Sequence, residues 1–260
     1  MLGLALQAGG VKGFSHIATL KVFEECNSKP DIIAGSSAGA IVGGLYALYN
    51  DAEKVYDIFS STVQKFLNKQ KVKSESIMNL EMVFKESLFG LDEYYVFFKE
   101  LFGRVKFSQL KTKLFVVAFD SENLQSLLID EGFLVDAILA SCTVPGVFEP
   151  TYLAGCKLLD GGVLSPVPTK ELKEYGADKV VASVFEENLP EFENHMELML
   201  TIDTLKERQI VLDEMKFADF VFRYPINVSW SDFNKSKEVY ENALNTARRI
   251  KSEFEDFLRW

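Results

Sequence analysis

Three clusters of residues have types and spacing that suit chemistry on a carbonyl. The first is Gly35-Ser36-Ser37-Ala38-Gly39, a Gly-x-Ser-x-Gly pattern in which only Ser37 is in frame. A serine on a sharp strand-to-helix turn is pushed out of its sheet with the hydroxyl exposed, and small flanking residues let the turn form. The second is Gly9-Gly10-Val11-Lys12-Gly13. Glycines let backbone N–H groups approach a ligand, and at a helix start such groups form an anion site. Acyl transfer needs donors of this kind for the oxyanion of its tetrahedral intermediate. The third is Asp160-Gly161-Gly162, which alone reads as a turn but gains interest because a nucleophilic serine needs a base.

Only two histidines occur, His16 and His195. His16 falls on the helix after the glycine loop and reads as a helix-surface or half-buried residue. The order Ser37, Asp160, His195 matches an α/β-hydrolase triad. Against it, His195 lies in the acidic stretch 186–197, which reads as solvated, and a single βα unit precedes the serine. Ala8-x-Gly10-x-x-Gly13 also approximates a dinucleotide loop. That fingerprint wants an acid at the end of the second strand, where this chain has Ala34-Gly35-Ser36.

The elements that must position these clusters follow from apolar runs and their punctuation. Leu2–Leu6 and Asp31–Ala34 are short apolar runs ending at glycines, each followed by a helical pattern, over 15–26 and through Ala47–Tyr49. Strand, loop and helix twice in fifty residues predict a parallel sheet covered by helices. Residues 51–107 carry three helical patterns and no strand, marked by Val55, Phe59, Val63 and Phe66, then Leu80, Val83, Phe84 and Phe89, then a helix capped by Asp92 through Leu101. Strands resume at Leu114–Phe119 and Ser126–Asp130, with a helix at Leu134–Ala140 and a hairpin or turn region over Leu153–Asp160. A buried strand at Lys179–Val184, an extended piece near Asp219–Tyr224 and a charged final helix complete the chain.

Together the clusters resemble the patatin-like phospholipase family. Leu6 to Ile17 looks like its glycine-rich oxyanion loop and following helix, with Ala8 where the family usually has the first of three glycines. Gly35 to Gly39 resembles its nucleophile elbow. Ala140 to Pro150 is similar to the segment leading to its Asp, and Leu159-Asp160-Gly161-Gly162 to its Asp-Gly-Gly motif. The resemblance covers 2–50 and 107–185. It implies a three-layer α/β/α fold with a mainly parallel central sheet, as one domain over 1–260 with a helical cap at about 51–106. It further implies a dyad of Ser37 as nucleophile and Asp160 as base, without histidine, metal or cofactor. Gly9, Gly10 and Val11 would form the oxyanion hole, Gly35 and Gly39 would shape the elbow, and the substrate would be a lipid or lysolipid ester. A lipid- or protein-binding module that has lost turnover, and the triad with His195, are the competing readings.

Composition fits these expectations. A 48% hydrophobic and 25% charged chain of 260 residues can bury a core without disulfides. A net charge of −10 with no Lys/Arg-rich footprint argues against nucleic acid. Three cysteines, Cys26, Cys142 and Cys156, without CxxC spacing suit a reducing cytoplasm. No apolar run is long enough to cross a bilayer, so any membrane contact is expected to be peripheral. Its expected place is 77–107, where six phenylalanines follow Lys65, Lys69, Lys71 and Lys73. The alternative there is a cap whose aromatics are core.

Overall fold

A computed structural model describes residues 1–74, 91–186, 188, 192 and 194–259. Among the described residues, eight strands form one sheet. They are β1 (Leu2–Leu6), β2 (Ile32–Ser36), β3 (Lys113–Asp120), β4 (Gln125–Ile129), β5 (Thr151–Leu153), β6 (Cys156–Asp160), β7 (Lys179–Glu186) and β8 (Phe220–Pro225). Pairing is parallel from β3 through β2, β1 and β7 to β8. The antiparallel part is β4 and β6 on β3, with β5 on β6. The expected strands recur within two residues at each end, and 153–160 forms most of a hairpin turning at Ala154-Gly155, both with positive φ.

Burial follows strand parity. Leu4, Leu6, Ile33, Leu114, Val116 and Val181 face one core. Over it lie α1 (Phe14–Glu25), α2 (Ala38–Tyr49), α3 (Ala52–Ser74), α4 (Leu91–Phe102), α5 (Leu134–Ser141), α8 (Ser236–Arg249) and α9 (Lys251–Arg259). Ala5, Ile32, Ala34, Phe115, Val180 and Ala182 face a smaller core. It is closed by α6 (Thr169–Tyr175) and the end of α7 (His195–Glu214). The result is the anticipated sandwich of helices, sheet and helices.

The register around β3 decides the placement of the site. Val116 and Val117 pair with both β2 and β4, and Ala118 to Asp120 pair with both β4 and β6. A strand has two edges, so β2 and β6 share one edge of β3 in succession. Running in opposite senses, they meet at their C-terminal ends.

The region read as a cap is helical where described. Val55, Phe59 and Val63 of α3 are buried, and Phe59 stacks on Phe14 of α1 at 4.4 Å. The pattern with Leu80, Val83, Phe84 and Phe89 lies outside the described residues. Phe98 and Phe102 are 1% and 2% exposed, and Phe97 is half-buried beside Phe66 and Tyr94. These rings pack on the core, as in the alternative of a cap whose aromatics are core, while Phe84 and Phe89 of the same stretch lie outside the described residues. Lys65 pairs with Glu100 at 2.7 Å.

Candidate active site

Ser37 stands between β2 and α2 with φ 51° and ψ −117°. A non-glycine residue held there stores on the order of 1–3 kcal/mol of strain, which the surroundings must offset. They do so through hydrogen bonds and close packing. The Ser37 N–H donates to Ser141 Oγ at 2.8 Å, and that hydroxyl donates to the Val117 carbonyl at 2.6 Å. Ser36 Oγ donates to the Ser165 carbonyl. Helix α2 crosses β1 so closely that a Cβ at Gly39 would lie 2.1 Å from the Leu6 carbonyl oxygen, so only glycine fits.

Asp160 ends β6 and is buried. One carboxylate oxygen accepts from Gly162 N–H at 2.8 Å, and the Asp160 N–H donates to the Thr143 carbonyl at 2.9 Å. Burial pushes its pKa up to about 6, while the Gly162 N–H and the Ser37 hydroxyl pull it down. The Ser37 hydroxyl also faces the Cys142 thiol. Burial and the Asp160 charge raise that thiol further above its ordinary range, so it is uncharged at neutral pH. Tyr94 of α4, a phenol raised by burial, senses both Cys142 and Asp160, and its ring lies 4.4 Å from Phe148.

The glycine loop runs from the end of β1 into a single 3-10 turn, Gly10–Gly13. Gly10 has φ 58°, and a Cβ there would lie 2.2 Å from the Trp230 carbonyl oxygen. Ala8 has no positive φ, so the methyl that replaces a family glycine causes no backbone strain. The Val11 N–H donates to the Trp230 carbonyl at 2.9 Å. That bond engages the donor assigned to the oxyanion hole from sequence and leaves Gly9 and Gly10. Among the described residues, no acceptor meets the N–H of either glycine.

The histidines part company. His16 is wholly buried, a correction to its reading as a surface or half-buried residue. Its Nε2–H donates to the Gln7 carbonyl at 2.9 Å, which fixes the tautomer of the neutral ring, so its Nδ1 accepts from Ser183 Oγ at 2.8 Å. Ser183 continues to Thr19 and Tyr224 in a buried chain. Burial lowers the His16 pKa to about 4. His195 is exposed at the first turn of α7. Neither is among the groups acting on the Asp160 carboxyl.

The structure thus brings Ser37, Asp160 and the glycine loop to one end of the sheet. Ser141, Cys142 and Tyr94 join them without having been singled out from sequence. Ser141 and Cys142 lie in the 140–150 segment, so position relative to Asp160 was the available signal. Among the described residues, no three His, Cys, Asp or Glu side chains group as metal ligands, and no helix is long and apolar enough to cross a membrane.

Fold and site define a three-layer α/β protein with a sharp strand-to-helix turn at Ser37. The family model for patatin-like phospholipase matches residues 4–173, and the chain belongs to that family. It is 27% identical, over 98% of its length, to the lysophospholipase NTE1 of Lodderomyces elongisporus, of which it spans 19%. It is 31% identical, over 70% of its length, to an NTE family protein of Mycobacterium bovis, of which it spans 48%. The chain therefore covers less than half of either relative. Among solved structures, VipD from Legionella pneumophila superposes with a TM-score of 0.53 at 15% identity, over 97% of this chain and 66% of that one. That likeness concerns the fold alone.

Proposed function

We propose that this chain hydrolyses acyl esters of lipids or lysolipids through an acyl-enzyme on Ser37, with Asp160 as base. The observation that carries the reading is the register on β3, where Ser36 pairs with Val117 and Asp160 with Ala118, so that the Ser37 turn and a buried carboxyl lie side by side; burial raises the pKa of that carboxyl to about 6. An ordinary Asp titrates near 3.9, too low for efficient proton abstraction at neutral pH. Burial brings Asp160 closer to the working range, and because its pKa of about 6 is still below 7 the group stays mostly ionised at pH 7.

In the forward step Asp160 takes the Ser37 proton as Oγ bonds to the acyl carbon. The carbonyl electrons move to oxygen, which the Gly9 and Gly10 N–H groups stabilise. Collapse of the intermediate breaks the ester bond, and the leaving alcohol receives the proton from Asp160. Water, deprotonated by the same carboxylate, then attacks the acyl-enzyme; as the acyl–Oγ bond breaks, Asp160 returns that proton to Ser37 Oγ, which releases the fatty acid and restores both groups. No metal, cofactor or nucleic acid enters this scheme. Its setting is the cytoplasm, with peripheral contact at membranes, consistent with three free cysteines.

The test is fluorophosphonate labelling, followed by product analysis with phospholipid vesicles, lysolipids and p-nitrophenyl esters. Labelling at Ser37 and release of free fatty acid are expected. A folded protein that neither labels nor releases fatty acid from any of these substrates overturns the proposal.

A further inference from the structure

Glu214, the last residue of α7, is 8% exposed and is absent from the scheme above. It belongs to the helix layer opposite α2. Its two carboxyl oxygens meet Ser165 Oγ at 2.6 Å and the Val167 N–H at 2.7 Å, and its carbonyl accepts from Thr169 Oγ1. A buried carboxyl is expensive to place, and the structure places one where it grips two residues of the loop before α6, while the backbone carbonyl of the same residue holds Thr169, the first residue of α6.

That loop touches every part of the candidate site. The Ser165 carbonyl accepts from Ser36 Oγ, the neighbour of Ser37. The Pro166 carbonyl accepts from the Ala8 N–H at 2.9 Å, one residue before Gly9. The Ser165 N–H donates to the Gly161 carbonyl at 3.0 Å, one residue after Asp160. Residues 165–167 are therefore a strap joining elbow, glycine loop and carboxylate turn, and Glu214 is its anchor on the far helix layer.

We propose that Glu214 is a positioning residue for Ser37, Asp160 and the Gly9-Gly10 donors, acting through the 165–167 strap. The inference rests on the Ser37–Asp160 reading above. Its physical basis is that reacting groups displaced by about 1 Å lose on the order of a hundredfold in rate. The state of the anchor also matters. Burial pushes the Glu214 carboxyl up to about 8, its two hydrogen bonds oppose the rise, and Glu171 on α6 adds to it. At pH 7 the group is mostly uncharged, so an amide is its close mimic.

The experiment compares wild type, Glu214→Ala, Glu214→Gln, Ser165→Ala and Ser37→Ala. It reads kcat and KM on a p-nitrophenyl ester at pH 7, the rate of fluorophosphonate labelling, and melting temperature. Glu214→Ala is expected to lower kcat and labelling rate together by about tenfold or more, with KM changed less than about twofold. Glu214→Gln is expected to restore kcat to within about threefold of wild type. Wild-type kcat in a folded Glu214→Ala overturns the inference. Equal losses of activity in Glu214→Ala and Glu214→Gln also overturn it, since a lost contact that the amide keeps cannot be the cause. If Glu214→Ala does not fold, Ser165→Ala decides. A lowered kcat at unchanged KM supports the strap, and a wild-type kcat overturns it. Labelling that persists in Ser37→Ala sinks the Ser37 reading instead, and the Glu214 comparison is then still legible in turnover.

Discussion

Ser36 and Asp160 occupy consecutive positions along one edge of β3: Ser36 pairs with Val117 and Asp160 with Ala118. A parallel strand and an antiparallel strand abut there, so each delivers its C-terminal residue to the same point. The nucleophile candidate, one residue past Ser36, and its candidate base are thus placed by backbone pairing before any side chain acts.

Ser37 and Asp160 should behave as one unit. Ser37→Ala is expected to abolish labelling and turnover. Asp160→Asn should lower kcat/KM on a soluble ester by at least about a hundredfold, and the double variant should be scarcely worse than either single one. His195→Ala should keep most activity, because His195 is exposed on α7. A His195→Ala loss as deep as that of Ser37→Ala, beside an active Asp160→Asn, points to a histidine mechanism.

The pH profile of kcat/KM should rise through about pH 6, the value to which burial brings Asp160. The base works ionised, so activity is present above that pH and lost below it. His16 does not contribute a limb there, since burial holds it near 4. A profile flat from pH 5 to 8, with chemistry rate-limiting, contradicts Asp160 as base.

Asp160→Asn should be more stable than wild type at pH 8 and not at pH 4. The Asp160 pKa rises from 3.8 unfolded to about 6 folded. Stability from such a group is fully present below the unfolded value and is lost as pH climbs through the folded one. The loss approaches about 3 kcal/mol above pH 6, and the amide escapes it. Thermal melts at the two pH values provide the check, with a gain of several degrees expected at pH 8 only.

Ser141→Ala should slow labelling and lower the melting temperature together. It removes the acceptor of the Ser37 N–H and the bridge to Val117. An unpaired buried N–H costs about 1–3 kcal/mol. Unchanged labelling kinetics in this variant would falsify the role given to Ser141 in holding the elbow.

Sequence periodicity revealed the elements whose signal is local. Leu2–Leu6 and the run into Ser36 are short apolar stretches stopped by glycine, and both are central parallel strands. The motifs marked Ser37 and Asp160 for the same reason. Long-range facts left no local trace. His16 sits on a helix buried all round from Phe14 to Leu20, and its partners Gln7 and Ser183 come from β1's end and from β7. The Val11 donor is engaged by Trp230, which is 219 positions away in a stretch without a motif. Glu214 closes a charged helix, and only the opposing loop reveals that it faces inward.

The buried chain from His16 through Ser183 and Thr19 to Tyr224 bears on where the smallest autonomous unit ends. The family model stops at residue 173, before β7 and β8. A fragment cut there would strip β1 of one neighbour, strand the imidazole of His16 without its hydroxyl, and remove the carbonyl that meets Val11. The signature motifs all lie within the matched stretch, yet the scaffold that makes them rigid does not. Sheet closure by the last third of the chain is therefore part of the apparatus, and the motif-bearing segment on its own should be a molten or aggregating polypeptide.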